Sequence, residues 1–192
     1  MLVLPPNTTN IANIIGIDPG TETLGFSILS FDICSGEIIQ TDANTFIGSK
    51  LPYQNNWLIE THGARTSRIM AHSQNILNLL YQYQPLFIAS EAPYYSRLHP
   101  NAYGALLEII LAVKQIVFQY DPFKQVEMID PSSVKNAVGV GGRCKKEPVA
   151  QAVYGLNGIL KIPEDRLYQL DEHSIDAIAV AYARYQILKG YL

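Results

Sequence analysis

Acidic side chains occur at three separated points of this sequence of 192 residues, each where the local pattern predicts the end of a secondary-structure element. Asp18 ends the apolar run "NIIGID", and Glu91 ends the run "LFIASE". His173 and Asp176 stand three residues apart at the start of an apolar segment, a spacing that puts both on one helix face. A helix laid across the sheet would bring this pair to the two strand ends.

Such a cluster favours a divalent cation. Carboxylates held within a few ångströms of each other repel, which raises their pKa and makes the charged cluster costly without a counter-ion. Oxygen ligands of this kind suit Mg²⁺ and Mn²⁺, and two ions about 4 Å apart can clamp the attacking water and the leaving oxygen of a phosphodiester. The sequence therefore predicts two Mg²⁺ ions per site, with Mn²⁺ as a substitute, held by Asp18, Glu91, His173 and Asp176.

Each of these residues also fits a structural role when it is taken alone. Asp18 precedes Pro-Gly and can shape a turn, Glu91 can be a surface acid at a strand end, and His173 can be a surface or capping residue. Asp176 is the hardest to explain structurally, because Ile175 and the following "AIAVA" leave little solvated face around it. The prediction therefore depends on the combination of the four residues.

The elements that must position these residues follow the order β-β-β-α-β-α-β-α-α-α. Turn residues separate three strands near Asn13–Asp18, Leu24–Phe31 and 37–46, which predicts an antiparallel meander. Strands at 86–91 and 125–130 each follow a helix, at 60–83 and 101–120; further helices are expected from 131, at 146–156 and at 172–188. This order predicts an α/β fold with a mixed five-stranded sheet, three antiparallel strands and then two parallel ones, flanked by helices.

Composition limits the class of protein. With 48% hydrophobic and 16% charged residues the chain is globular rather than disordered, and we expect a single domain over 1–192. Cys34 and Cys144 fit no zinc motif and are interpreted as reduced thiols. We also expect no signal peptide, no apolar run near the ~20 residues that cross a bilayer, and hence an intracellular, soluble protein.

The charge distribution conceals a basic stretch. The formal net charge of −3 counts against nucleic-acid binding at first sight, but net charge is an average over the whole surface. Between 134 and 146 the chain has no acid and four cations, Lys135, Arg143, Lys145 and Lys146. This stretch is a candidate phosphate contact, although a solvated loop would show the same pattern.

Four motifs together resemble the RuvC family of Holliday junction resolvases, in the RNase H-like superfamily. "IIGIDPGTETLGFSIL" is similar to the family's opening segment with its first metal-binding acid, and "LFIASEAPYY" resembles its fourth strand with the second acid. "IDPSSVKNAVGVGGRCKKEPVAQAV" resembles a Ser-x-x-Lys turn, a glycine-rich stretch and a second lysine. "DEHSIDAIAVA" is similar to the terminal acid-x-x-Asp-Ala motif. The resemblance covers the chain from about Asn13 to Ala183.

The resemblance implies an RNase H-like fold, a homodimer, and paired symmetric nicks across a four-way DNA junction. Asp18, Glu91 and Asp176 would hold the metals; His173 occupies a position where family members have Asp or His, as a ligand or a proton-transfer group. Lys135 and Lys146 match lysines placed near the scissile phosphate, Lys146 in a catalytic role. Arg143 and Lys145 are predicted to contact DNA because they belong to the same basic stretch as these lysines.

Two further features follow from the resemblance. Tyr94, three residues after Glu91, matches an aromatic that stacks on bases at the junction centre, although one of twelve tyrosines can equally be structural. The helix at 101–120 matches the dimer helix; its apolar residues on several sides, including Leu107, Ile110 and Leu111, would also fit a buried core helix. We expect a cytoplasmic enzyme of a bacterial cell or of a phage-infected host, and a phage origin would suit the short chain.

Other functions compete with this interpretation. Asp-x-Gly before a β-turn also opens the phosphate-binding hairpin of actin-like ATPases and sugar kinases, but those proteins usually need two such domains. A different RNase H-like nuclease, acting on branched DNA or on an RNA–DNA hybrid, is a nearer alternative. A non-catalytic junction-binding module is the third, and it would not need four convergent metal-type ligands.

Overall fold

A five-stranded mixed sheet forms the centre of the molecule. The computed structural model describes residues 10–51, 56–95, 100–141 and 147–190. The strands β1 (Ile11–Asp18), β2 (Thr23–Asp32) and β3 (Ile38–Ile47) pair antiparallel, while β4 (Phe87–Glu91) pairs parallel with β1 and β5 (Val126–Ile129) pairs parallel with β4. The resulting strand order β3-β2-β1-β4-β5 confirms the predicted sheet.

The central strand β1 is buried on both faces, as its almost continuous apolar sequence requires. Ile14 faces one side of the sheet, and Ile15 and Ile17 face the other, all fully buried. Because successive side chains of a strand point to opposite faces, the even-numbered residues of β1, including Gly16 and Asp18, share the face of Ile14. The sequence of β1 thus builds two separate cores and places Asp18 at the end of one of them.

Eight α-helices cover the sheet in the part of the chain that the structure describes. Their bounds are α1 (Asn56–His62), α2 (Ala64–Tyr83), α3 (Pro100–Tyr120), α4 (Pro131–Ala137), α5 (Glu147–Gly155), α6 (Asn157–Leu160), α7 (Glu164–Leu167) and α8 (Glu172–Lys189). Helices α4, α5 and α8 pack on one face of the sheet, which we call the α8 face. Helices α2 and α3 pack on the other, which we call the α2–α3 face.

The prediction of a single helix at 60–83 was wrong in one respect, because this part of the chain forms two helices, α1 and α2. Gly63 lies between α1 and α2 with a φ of 82°, in the left-handed region that glycine adopts without strain. The stretch before that predicted helix contains a 3-10 turn at Gly48–Lys50 and the start of α1. The short helices α6 and α7 were also not predicted; with four residues each, they give too little periodicity to be detected.

Helix α8 lies very close to the sheet because two glycines face it. A Cβ added at Gly16 would come within 2.3 Å of the Ala177 carbonyl oxygen, and one at Gly25 within 2.0 Å of the His173 carbonyl oxygen. The Ser27 hydroxyl donates a hydrogen bond of 2.7 Å to the Ala177 oxygen at the same contact. Strands β1 and β2 therefore hold the first half of α8 directly over the end of β1.

Helix α3 corrects one expectation drawn from the sequence. Its residues Asn101–Tyr120 have a mean hydropathy of 1.4, so by length and composition this helix could cross a membrane, contrary to the expectation that no segment approaches that length. Glu108 and Lys114 interrupt the apolar run, but the average over the helix remains high. One side of α3 is packed into the core through Ile109, Val113 and Val117, and core helices of globular proteins pass the same test.

Candidate active site

The first two acids lie side by side at one edge of the sheet. Asp18 is the last residue of β1 and Glu91 is the last residue of β4. The parallel register pairs Ile17 with Ser90, so the next residue of each strand is an acid at the same level. Parallel strands have their carboxyl ends at the same edge, and the predicted convergence of these two residues follows directly from this pairing.

The start of α8 supplies the third acid. Asp171 caps this helix, since its carboxylate accepts hydrogen bonds from the Ser174 amide at 2.8 Å and from the Thr45 hydroxyl at 2.6 Å. Burial alone would raise the pKa of Asp171, but these hydrogen bonds lower it and keep the cap charged. The cap and the close contact with Gly25 together fix the first turns of α8, and with them Asp176.

Asp18, Glu91 and Asp176 line one cavity. This cavity has a volume of about 170 Å³ and its walls also include an aromatic ring, a lysine and apolar side chains, namely Tyr94, Lys135, Pro131, Val134 and Val149. Lys135 comes from α4, whose Pro131 stands at the first helical positions. The structure therefore brings together five of the residues singled out in the sequence: three acids, one tyrosine and one lysine.

His173 is placed differently from the three acids. Its Nδ1 lies 2.8 Å from Asp18 Oδ2, and its Nε2 lies 2.7 Å from the hydroxyl of Thr23. It is not among the residues that line the cavity. The hydrogen bond with Asp18 raises the pKa of the imidazole, against the opposing effect of burial. His173 thus contacts a candidate metal ligand, while both of its ring nitrogens are engaged by protein groups.

The site suits a divalent cation in its chemistry. Three carboxylates around one cavity repel one another unless a cation or a proton lies between them, and carboxylate oxygens are the ligands that Mg²⁺ and Mn²⁺ prefer. Among the described residues, however, no three acidic, histidine or cysteine side chains already converge closely enough to enclose an ion. Asp18, Glu91 and Asp176 fit the ligand type, and ion binding would require their side chains to draw closer.

The two neighbouring tyrosines have separate surroundings. The ring of Tyr95 packs edge-on against Tyr103 of α3, with 5.8 Å between ring centroids. Tyr94 lines the cavity and has 66% of its surface exposed. Tyr95 is 59% exposed as well, so position and not exposure distinguishes the two rings: Tyr94 is the one that lines the cavity beside the acids, and its contact with DNA stays a prediction.

Several predicted positions lie outside the described residues. These are Arg143, Lys145 and Lys146, so their contacts with the site are not described and their roles remain predictions. Thr23, in contrast, was not singled out from the sequence. The alternation of side chains along β2 could have identified Thr23. Residues two apart in a strand point to the same face, so Thr23 lies on the side of Gly25, which faces α8.

This strand order, with a helix lying across the ends of the first and fourth strands, is that of the RNase H-like fold. No protein-family model matches the chain. The chain is 27% identical over 175 residues to the crossover junction endodeoxyribonuclease RuvC of Synechocystis sp., covering 88% of each chain.

Solved structures have the same fold. The Thermus thermophilus RuvC in complex with a Holliday junction substrate superposes with a TM-score of 0.63 at 21% identity, over 93% of this chain and 96% of the other. The yeast mitochondrial Holliday junction resolvase Ydc2 gives a TM-score of 0.64 at 16% identity, over 94% of this chain and 81% of the other. Over most of its length the chain is thus similar to RuvC resolvases, and the resemblance stated from the motifs is confirmed.

Proposed function

We propose that this chain is a metal-dependent endonuclease that resolves four-way DNA junctions by paired symmetric nicks. The observation that carries the proposal is the cavity where Asp18, Glu91 and Asp176 meet beside Tyr94 and Lys135. The relatives that share this fold over most of the chain are named crossover junction endodeoxyribonucleases, and one of their structures contains a Holliday junction. Such an enzyme would act in the cytoplasm of a bacterial cell or of a phage-infected host.

Asp18, Glu91 and Asp176 hold the metal ions in this proposal, as two Mg²⁺ or two Mn²⁺ per site. When bound, a pair of ions activates water and stabilises the leaving oxygen of a phosphodiester. The carboxylates come from two strand ends and one capped helix, which are rigid elements, so the backbone positions of the three ligands are set before substrate arrives and only the side chains need to draw together. His173 keeps Asp18 oriented through the hydrogen bond at Nδ1.

The surroundings of the acids suit an opened DNA strand. Tyr94 exposes most of its ring beside Glu91, and a ring in this position can stack on an unpaired base, which stabilises binding by ~1–3 kcal/mol. Lys135 lines the same cavity and attracts the phosphate that the carboxylates would otherwise repel. Arg143, Lys145 and Lys146 extend this basic contact in the proposal, on the strength of the motif resemblance.

Paired nicks require two such sites, and α3 offers the surface to join them. Three exposed apolar residues of α3 lie on one side of the helix, namely Leu107, Leu111 and Phe118. The second and third follow the first by four and eleven residues, and at 3.6 residues per turn this puts all three within about 40° of one another around the helix axis. An apolar stripe of this kind on the outer side of a helix is typical of an interface. We include in the proposed function a homodimer that associates through the outer side of α3, with one active site in each subunit.

A cleavage assay with purified protein tests the proposal. The substrates are a labelled four-way junction, the matched linear duplex and an RNA–DNA hybrid, each with Mg²⁺, with Mn²⁺ or with chelator, and Asp18→Asn is run alongside. We expect paired nicks in the junction alone, dependent on metal and on Asp18. Cutting of duplex or hybrid at the same rate would replace the junction function by that of a general or hybrid-specific nuclease. Junction binding with no cutting under any condition would leave a structure-specific binding module.

A further inference from the structure

The chain segment that leaves the sheet after β4 carries two neighbouring tyrosines whose rings go to opposite faces of the sheet. Tyr94 lines the cavity together with apolar side chains of the α8-face core. Tyr95 packs edge-on against Tyr103 of α3, with 5.8 Å between the ring centroids and 84° between the ring planes. Helix α3 belongs to the α2–α3 face. The two rings are therefore divided between the two faces at the edge of the sheet that carries the acids.

This segment is held on either side of Tyr94. Before it, the Ala92 amide donates a hydrogen bond of 2.8 Å to the Ile129 carbonyl oxygen, which continues the pairing of β4 with β5 by one residue. After it, the ring of Tyr95 contacts Tyr103. The backbone of Tyr94 thus lies between a hydrogen bond within the sheet and a ring contact with α3, although its own side chain is 66% exposed.

From this geometry we propose that Tyr95 is a positioning residue for Tyr94, the ring that the proposed function places against unpaired bases. Neighbouring residues share one planar peptide unit, so fixing the ring of Tyr95 on α3 limits the directions that Tyr94 can take. With Tyr95 held on the α2–α3 face, Tyr94 is directed to the cavity beside the acids. The inference rests on the proposed function, and it gives Tyr95 a part in junction binding that needs no contact of its own with DNA.

Substitution of Tyr95 leaves the apolar stripe of α3 intact. Tyr103 is one helical turn before Leu107, on the side of the stripe, so its replacement would also change the proposed interface. Tyr95→Leu removes the aromatic pair and keeps an apolar side chain, whereas Tyr95→Phe keeps the ring. Tyr81→Leu is the matched control, because Tyr81 is 60% exposed against 59% for Tyr95. Its ring also packs edge-on against a tyrosine of α3, Tyr120, at 5.3 Å and at the other end of that helix.

The first measurement needs no DNA. Relaxation of ¹⁵N-labelled backbone amides, measured by nuclear magnetic resonance, gives an order parameter for the Tyr94 amide. We expect a value of about 0.85 in the unmodified chain, in Tyr95→Phe and in Tyr81→Leu, and a fall to below about 0.6 in Tyr95→Leu. The same order parameter in Tyr95→Leu as in the unmodified chain would overturn the proposal.

The second measurement is binding of a four-way junction in chelator, with 2-aminopurine at the junction centre. The fluorescence of this base changes when it leaves its neighbours in the stack. We expect Tyr95→Leu to weaken junction affinity by about three- to tenfold, the range that an aromatic pair allows, and to reduce the fluorescence change. Tyr95→Phe should restore both, and Tyr81→Leu should alter neither. Full affinity with a full fluorescence change in Tyr95→Leu would count decisively against a positioning role.

A double variant decides whether Tyr95 acts through Tyr94. When Tyr94→Ala has removed the ring to be positioned, adding Tyr95→Leu should cause no further loss of junction affinity. Losses that add would show that Tyr95 contacts the DNA itself, and the positioning role would be refuted. If Tyr94→Ala alone binds and unstacks the junction as the unmodified chain does, the stacking role in the proposed function fails instead. The order parameter of the Tyr94 amide would still decide whether Tyr95 fixes this segment.

Discussion

The two faces of the sheet are built in opposite ways. On the α8 face the helix is buried on nearly all sides, and its backbone touches β1 and β2 where Gly16 and Gly25 lack side chains. On the α2–α3 face, α3 buries one side and exposes a stripe of large apolar residues on the other, Leu107, Leu111 and Phe118. The helix on one face is almost wholly buried, while the helix on the other presents a stripe of apolar surface outward.

The two faces therefore differ in their proposed roles: the α8 face holds the candidate active site, and the outer side of α3 is the proposed dimer interface. The three cavity-lining acids belong to β1, β4 and α8, and the close contact of α8 with β1 fixes where the backbone of Asp176 lies relative to Asp18. The exposed stripe on α3 can change without disturbing that contact. We therefore expect substitutions on the α8 face to affect the reaction and the stability of the fold, and substitutions on the outer side of α3 to affect association.

The largest expected effect comes from one carboxylate on α8. Asp176→Asn removes the charge that a divalent cation requires, so we expect cleavage to fall by on the order of 10³-fold or more, with junction binding retained. Asp171→Asn makes the same chemical change at the cap of the same helix. Asparagine can still accept the hydrogen bond from the Ser174 amide, so this control should cleave within a few-fold of the unmodified chain. Rates measured on a labelled junction compare the two, and equal activity in Asp176→Asn would remove Asp176 from the metal site.

A pair of glycine substitutions compares the two faces directly. Gly25→Ala puts a Cβ 2.0 Å from the His173 carbonyl oxygen, so α8 must shift; we expect a loss of roughly 1–3 kcal/mol in the free energy of unfolding and slower cleavage. Gly104→Ala on α3 meets nothing within 4 Å and should stabilise the helix by about 0.5–1 kcal/mol. Urea denaturation measures both. A neutral Gly25→Ala would show that α8 is less tightly fixed than its contact with β2 indicates.

The sequence predicted the parts of this molecule that depend on local pattern. Asp18 and Glu91 end apolar strand runs, and the order of elements makes those strands neighbours, so their meeting could be inferred without coordinates. Asp176 stood out because an acid within an apolar helix has no solvated face to occupy. The mixed sheet followed from three strands joined by turns and two joined through helices.

What the sequence did not predict depends on contacts between distant residues. Gly16 and Gly25 allow α8 to lie close to the sheet. The residues next to these glycines in the sequence do not indicate that a helix packs against them. The same contact places Thr23 against His173, which the sequence could describe only as a ligand or a proton-transfer group. The break at Gly63 was missed because the apolar period continues across it, whereas a φ of 82° ends one helix and starts another.

The association surface is tested by placing a charge in the α3 stripe. Leu111 is 58% exposed, and Leu111→Glu would bury a carboxylate in the proposed interface. We expect the dimer to weaken by about 2 kcal/mol or more, roughly 30-fold, with the fold intact. Ile159→Glu, at an apolar position on α6 that is 50% exposed, should leave association unchanged. Sedimentation measures the dissociation constant, and a dimer of normal strength in Leu111→Glu would move the interface to another surface.

The smallest expected effect is a change in pH dependence from His72, a fully buried residue of α2. Burial lowers the pKa of His72 below its ordinary value of 6.5; the backbone of Thr21 and the charge of Glu22 oppose this, and Arg68 adds to it. Below about pH 6.5 the unfolded chain therefore binds a proton that the folded chain does not, and the free energy of unfolding falls as the pH is lowered through this range.

His72→Leu should remove that part of the slope, because leucine fills a similar volume and does not titrate. His62→Leu makes the same change at an exposed histidine of α1 and is the matched control. Urea denaturation at a series of pH values between 7.5 and 5 gives the slope of the free energy of unfolding against pH for each variant. Subtracting the slope of the unmodified protein removes the contribution of the groups that both proteins share. If His72→Leu kept the full slope, the loss of stability in acid would have to come from other titrating groups.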